Sequence, residues 1–290
     1  MDITSDAFCR SKKMLVKVVI PVYKRDLSAE ERHSLQQCCL ILKNYPLALV
    51  THPECDLTDY KDILTSKSAD YTIELFDHSY FDSVLSYSRL LLNPQFYLRF
   101  KDSEYILIYQ LDAFVFNDEL TEWCKKGYDY IGAPWFTHYK TYEEGYKLYK
   151  AGNGGVSLRK VSTILERFEQ KMPLSIFPFY IKNIRKKGFW KMFINTLKMM
   201  FLLIFTKRTV GYYLHSYTDS RINEDCFWAE GLSETKLALN IPSAIEAAHF
   251  CIEKSPSYLF DMIGQRLPFA CHAYEKYEYE SFWKKYIYLP

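Results

Sequence analysis

A chain of 290 residues suits one large α/β domain and is long enough to bury most of its apolar surface without staples. Hydrophobic residues make up 49% and charged residues 25%, an ordinary globular balance, and a net charge of +2 excludes a strong global field. There is no nucleic-acid-binding motif and no basic run long enough to track a phosphate backbone, which excludes a dedicated nucleic-acid binder.

The N-terminus carries acidic residues before basic ones, and its apolar run is broken by Lys17, so it does not read as a signal peptide. Residues 14–23 instead predict a buried, β-branched strand closed by Pro21 and a polar Lys-Arg-Asp. Residues 28–43 predict a helix with Ser28 as N-cap and Glu31 three residues on, a capping-box pattern. Residues 46–51 and 71–76 read as the second and third strands, and 82–100 as a helix interrupted near Pro94. Residues 104–116 form one strong central strand that runs into acidic and polar residues. This alternation of helices with continuous apolar strands predicts a mostly parallel sheet covered on both faces. Ligands of such sheets bind beyond the carboxyl ends of the strands.

The second half is less regular. Residues 128–136 suggest a short strand and turn, and 151–168 a Gly-rich turn, strand and helix. Residues 221–232 suggest a polar turn entering a helix, 243–253 a helix or strand edge, and 267–277 a short closing strand. Residues 182–208 stand apart as a basic amphipathic helix, with Phe189, Trp190, Phe193, Ile194, Leu197, Met200, Phe201 and Ile204 at helical spacing. Such a helix lies in a membrane interface or packs on a core; Lys191 and Lys198 rule out a clean span. The whole is expected to be one domain over 14–290 with 182–208 inserted in it. None of the eight cysteines forms a CxxC pair, and their spacing fits neither a zinc site nor a disulfide framework, which favours a reducing compartment. The expected location is therefore the cytoplasm, with 182–208 available for contact with the inner face of the membrane. The aromatic share is 17%, with 25 tyrosines; this fits a sugar or nucleotide site and equally a low-GC genome.

Four segments carry the chemistry. Gln110-Leu111-Asp112 ends the best strand, where a carboxylate would meet a bound diphosphate through Mg²⁺ or Mn²⁺. Gly152, Gly154 and Gly155 permit close backbone approach of a sugar or phosphate, without the ending of a P-loop. Asn223-Glu224-Asp225 opens a helical segment, either as capping acids or as the general base for an acceptor hydroxyl. His272 follows a short apolar strand, as a structural histidine or a metal or diphosphate ligand.

VVIPVYKR (18–25), YSRLLL (87–92), YILIYQLDAFVF (105–116), YDYIGAPWF (128–136), GNGGVSLRK (152–160), NEDCFW (223–228) and LPFACHAYEKY (267–277), in this order, resemble GT-A glycosyltransferases. They look more closely like a bacterial domain family of unknown function grouped with those enzymes. The resemblance implies a GT-A-like, Rossmann-like fold and transfer of a sugar from a nucleotide-diphosphate sugar to a glycan or lipid-linked acceptor in surface polysaccharide synthesis. It implies that Pro21, Tyr23 and Arg25 face the nucleoside and that Arg89 reaches the diphosphate or donor sugar. Asp112 would stand for the second acid of the DxD motif and His272 would complete the site for Mn²⁺ or Mg²⁺. Gln110 replaces the first acid, a departure that leaves one carboxylate for the ion. Asn153, Gly154 and Gly155 would border a sugar, Trp135 would stack on an acceptor sugar, and Asp225, with Glu224 as second choice, would be the base of an inverting enzyme. The alternatives are a nucleotidyltransferase with the same metal site and a catalytically silent sugar-binding scaffold.

Overall fold

A computed structural model of the chain describes residues 13–179, 208–216 and 222–288, together with positions 193, 194, 197, 200, 201 and 205. The expected helix at 182–208 and the membrane contact assigned to it lie for the most part outside the described residues. The described apolar positions within it, Phe193, Ile194, Leu197, Met200, Phe201 and Phe205, are exposed. Among the described residues no helix is long and apolar enough to cross a membrane.

The centre is a six-stranded sheet. β1 (Met14–Pro21), β2 (Leu47–Thr51), β3 (Tyr71–Leu75) and β4 (Ser103–Tyr109) run parallel. β9 (Val156–Lys160) pairs antiparallel with both β4 and β6 (Tyr130–Gly132), giving the order β3-β2-β1-β4-β9-β6. The chain steps outward from β1 through β2 to β3, then returns to place β4 on the other side of β1. That reversal makes the carboxyl ends of β1 and β4 the topological switch point, where open α/β sheets bind ligands.

Both faces are covered, as the continuous apolar strands require. Alternate side chains of β1 and β4 enter opposite cores: Val18, Leu107 and Tyr109 on one side, Val19, Ile106 and Ile108 on the other. The first core is closed by α1 (Ala29–Ile41), α2 (Thr58–Ser66), α5 (Leu120–Lys125) and α9 (Ala244–Phe250). The second is closed by α3 (Val84–Leu91), α4 (Pro94–Leu98), α6 (Val161–Glu169), α7 (Val210–Ser216) and a π-helical turn at Phe227–Gly231 that follows α8 (Glu224–Cys226). The Ser28–Glu31 capping box forms: Ser28 Oγ accepts from the Glu31 amide at 3.2 Å, and the Ser28 amide donates to Glu31 Oε2 at 2.8 Å.

One expectation is corrected. Residues 104–116 are not a single strand. β4 stops at Tyr109, the chain turns through Gln110–Asp112, and β5 (Ala113–Val115) enters a separate small sheet with β10 (Cys251–Ile252) and β11 (Ala270–His272). The turn is fixed by two backbone bonds, Gln110 N–H to Gly155 O at 3.0 Å and Ala113 N–H to Gln110 O at 3.1 Å. An apolar run on both sides of a three-residue turn carries no periodic mark of the break. Helix α10 (Pro256–Met262) and the strand pair β7 (Pro134–Phe136) and β8 (Leu148–Ala151) follow, the last outlining a small sheet beside the Gly-rich loop. The seven cysteines among the described residues are all unbridged.

Candidate active site

The register of the small sheet assembles the first half of the site. β11 pairs antiparallel with β5 so that His272 faces Ala113, which sets its ring beside Asp112. β10 pairs parallel with β11, Ile252 opposite Cys271, so Glu253 emerges on the other side of the same ring. His272 Nε2 lies 3.1 Å from Asp112 Oδ1 and 3.3 Å from Gln110 Oε1, while Nδ1 lies 3.5 Å from Glu253 Oε1. Lys276 Nζ sits 3.6 Å from Asp112 Oδ2. Burial alone would lower the His272 pKa; the hydrogen bonds and charges of Asp112 and Glu253 outweigh it and raise the group to about 9. At Asp112 burial works upward, yet the contact with His272, with help from Lys276, holds the carboxyl below its ordinary value.

The Gly-rich loop joins this cluster to a second one. Asn153 Nδ2 donates to Glu253 Oε2 at 3.0 Å, and Asn153 Oδ1 accepts from the Gly155 amide at 3.0 Å. Gly155 lies so close under the His272 ring that an added Cβ would overlap it. At Gly154 an added Cβ would sit 2.8 Å from Glu224 Oε1 and 3.3 Å from Asp225 Cβ. Adjacent glycines thus floor two adjacent groups of ionisable side chains, and each glycine is required by its own cluster.

The second cluster is built on Arg159. Ser157 and Arg159 alternate with Val156 and Leu158 on β9, so a guanidinium enters the otherwise apolar second core. It is fully buried, and each of its three nitrogens makes a hydrogen bond. Nη2 donates to Glu224 Oε1 at 2.6 Å, Nη1 to the Tyr97 hydroxyl at 3.0 Å and Nε to Ser157 Oγ at 3.0 Å. Ser157 Oγ donates in turn to Gly154 O at 3.1 Å, locking the loop. The guanidinium carbon lies over the Tyr130 ring, 5.1 Å from its centroid. Next to the ion pair, Asp225 Oδ1 accepts from the Cys226 amide at 2.7 Å. Burial first, and then the charge of Glu224, push the Asp225 carboxyl up to about 7.

The residues expected from sequence divide as follows. Asp112, Gln110, His272, Asn153, Gly154, Gly155, Glu224 and Asp225 come together. Tyr23 is exposed just beyond β1, close enough for Asp112 to raise its hydroxyl pKa after burial and Glu31 do so. Pro21 is buried as the last residue of β1, so it offers a nucleoside no open face. Arg25 is exposed and directed at Asp56, 3.3 Å away. Arg89 is exposed, and Tyr87, two residues and about 200° around the helix from it, is the one whose hydroxyl feels Arg159, Glu224 and Gln110. Trp135 is only 5% exposed, its ring filling the space over Gly152, and so presents no platform for an acceptor sugar. Glu224 is tied to Arg159, which removes it as a free base. Arg159, Tyr97, Glu253 and Lys276 were not expected. The Ser157–Arg159 alternation within an apolar strand was the one available signal; the others depend on register between distant segments.

Several solved structures resemble this fold. The core-mannan synthase A of Aspergillus fumigatus, in its Mn/GDP form, aligns with a TM-score of 0.46 at 11% identity, covering 80% of this chain and 73% of that one. Residues 1–349 of S. aureus TarS align with a TM-score of 0.32 at 10% identity, covering 55% of this chain and 50% of that one. No curated protein matches. Residues 70–272 match the family described as "Protein of unknown function (DUF5672)", a span holding every residue of both clusters except Lys276, and the chain belongs to that family.

Proposed function

We propose that the protein is a glycosyltransferase that moves a sugar from a nucleoside-diphosphate sugar to a hydroxyl of a glycan or lipid-linked acceptor. The observation that carries this reading is the pair of clusters over Gly154 and Gly155 at the switch point: one that sets Lys276 and the protonated His272 beside Asp112 and Glu253, and one that holds a carboxylate with its pKa near neutrality. Departure of a nucleoside diphosphate needs positive charge beside its oxygens. Lys276 and the protonated His272 lie at the carboxyl end of β4 for that task. Tyr23, beyond β1, flanks the place where the nucleoside enters. The donor sugar would rest on the two glycines, where no side chain intervenes.

Asp225 is the base. A group with a pKa of about 7 is ionised in useful amounts at neutral pH and still has an appreciable drive to take a proton. Its chain neighbour Glu224 is anchored to the buried Arg159, which fixes the backbone beside Asp225, and the Cys226 amide donates to Asp225 Oδ1. The acceptor hydroxyl then attacks the anomeric carbon as its proton passes to an Asp225 oxygen, and the bond to the diphosphate breaks. The outcome is inversion.

The donor atoms also suit a divalent ion. Asp112 Oδ1 and Gln110 Oε1 both converge on His272 Nε2, and the proton there occupies the place a cation would take. One carboxylate, one amide oxygen and one imidazole leave room for phosphate oxygens and water, the company that Mn²⁺ and Mg²⁺ keep. When bound, such an ion supplies Lewis-acid charge to the departing diphosphate. The acceptor class that the sequence resemblance implies is a surface polysaccharide.

A thermal-shift screen of nucleoside-diphosphate sugars with and without Mn²⁺ tests the reading, because a ligand that binds only the folded state raises the melting temperature. We expect one donor to give a shift that Mn²⁺ enlarges and to be turned over with an acceptor. A shift without turnover on any acceptor favours a silent scaffold. No shift with any donor overturns the proposal.

A further inference from the structure

A second group of ligating side chains lies on the far side of β1 from Asp112. His52 follows β2 directly, Glu54 lies in the turn beyond it, and His78 stands in the short 3₁₀ turn (His78–Tyr80) after β3. The parallel register brings them together: Thr51 faces Leu75, and the Phe76 amide donates to Thr51 O at 2.9 Å. One ligand atom from each of the three lies within 4.8 Å of the others. The His52 and His78 rings meet edge to face with centroids 4.3 Å apart.

Two further observations point to an ion. His52 is 8% exposed, and its Nδ1 is buried with no hydrogen-bond partner among the described residues. A buried, unpaired imidazole nitrogen is unfavourable, and metal coordination is one way to satisfy it. On the other ring, Asp82 Oδ1 lies 3.4 Å from His78 Nδ1. A carboxylate on one imidazole nitrogen fixes the ring and its tautomer and frees the other nitrogen as ligand, the usual outer-shell arrangement of metal-bound histidines.

We infer that His52, Glu54 and His78 bind a Zn²⁺ ion. Two imidazoles and a carboxylate suit zinc and its borderline neighbours, whereas Mg²⁺ and Mn²⁺ prefer oxygen ligands. Three protein ligands leave a fourth tetrahedral position for water. Bonds of about 2.0–2.1 Å place tetrahedral ligands about 3.3 Å apart, so the exposed Glu54 and His78 side chains close on the fixed His52 when the ion enters. The ion would fasten the loop after β2 to the turn after β3. Two residues past Glu54, Asp56 pairs with Arg25 at 3.3 Å, which extends the tie to the exit of β1. The site is separate in residues and in metal preference from Asp112 and His272.

The test uses tag-free full-length protein stripped with chelator, with Zn²⁺ affinity read by competition against a chromophoric chelator and geometry read from the visible absorption of Co²⁺. We expect one Zn²⁺ per chain, a tetrahedral Co²⁺ spectrum, and no displacement by excess Mn²⁺. The double variant Glu54→Gln/His78→Gln changes exposed side chains and keeps the fold by circular dichroism; it should bind Zn²⁺ at least 100-fold more weakly. Asp82→Asn should weaken binding by about 10–100-fold, while Asp112→Asn should leave it unchanged. Wild-type affinity in the double variant, or no stoichiometric Zn²⁺ in the wild type, overturns the inference.

Discussion

Arg159 Nη2 lies 2.6 Å from Glu224 Oε1 with both side chains buried, and this pair sets the electrostatics of Asp225 next door. Arg159 anchors the Glu224 carboxylate through that contact. Burial disfavours a negative charge at Asp225, and the Glu224 carboxylate disfavours it further. A structural ion pair in the second core thereby tunes the carboxylate that faces the glycine loop.

Removal of one partner exposes this dependence. Glu224→Gln leaves the guanidinium buried without its counter-charge, and we expect a loss of about 3–5 kcal/mol in chemical denaturation. It also removes the negative neighbour of Asp225. The pH profile of transfer should therefore move to lower pH, which a rate measurement on the surviving folded fraction checks.

Asp225→Asn should leave donor binding intact in calorimetry and lower transfer by about 10²–10⁴-fold, the range for loss of a positioned base. In the wild type, kcat should rise as pH passes through about 7, where Asp225 ionises.

The same shift has a sign in stability. The folded pKa of Asp225 lies above the ordinary carboxyl value of 3.8, so between those two pH values the folded state holds a proton that the unfolded state has lost. Stability attributable to this group therefore falls as pH rises from about 4 to about 7. Asp225→Asn cannot ionise, so its Tm should exceed that of the wild type at pH 8 and approach it at pH 4, as calorimetric scans at the two pH values would register.

Gly155→Ala places a methyl group into the His272 ring. Overpacking of this kind costs about 1–3 kcal/mol. The ring must also shift from Asp112, so the Mn²⁺-dependent part of nucleotide-diphosphate binding should fall more than the metal-free part. Equal losses in both, measured by titration calorimetry, would assign the glycine to folding alone.

Asp112→Asn should abolish metal-dependent nucleotide-diphosphate binding while leaving the fold intact, since Asp112 is partly exposed at the end of a turn. His272 must release a proton to accept a metal ion, so in the wild type Mn²⁺ affinity should increase as pH rises toward 9. Unchanged calorimetric binding in the variant, or pH-independent affinity in the wild type, would count against that ligand set.

The local rules of the chain were enough for the parallel sheet, its covering helices and the Ser28 capping box. Those features arise from neighbours in sequence: β-branched runs, 3.6-residue periodicity, and a serine three residues before a glutamate. They also put Asp112, the glycine loop, Asp225 and His272 at the ends of elements. The passage of residues 113–115 into a second sheet was invisible, because the residues on both sides of Gln110–Asp112 are equally apolar and only pairing with β9 and β11 separates them. Tertiary structure alone decided that Arg159 neutralises Glu224, that Glu253 and Lys276 join His272 and Asp112, that Tyr87 rather than Arg89 faces the cluster, and that Trp135 is packed away. It likewise joined His52 to His78 across two strands. Each of these depends on the register between segments far apart in sequence, and a register is chosen by the burial of whole faces, a quantity no local pattern contains.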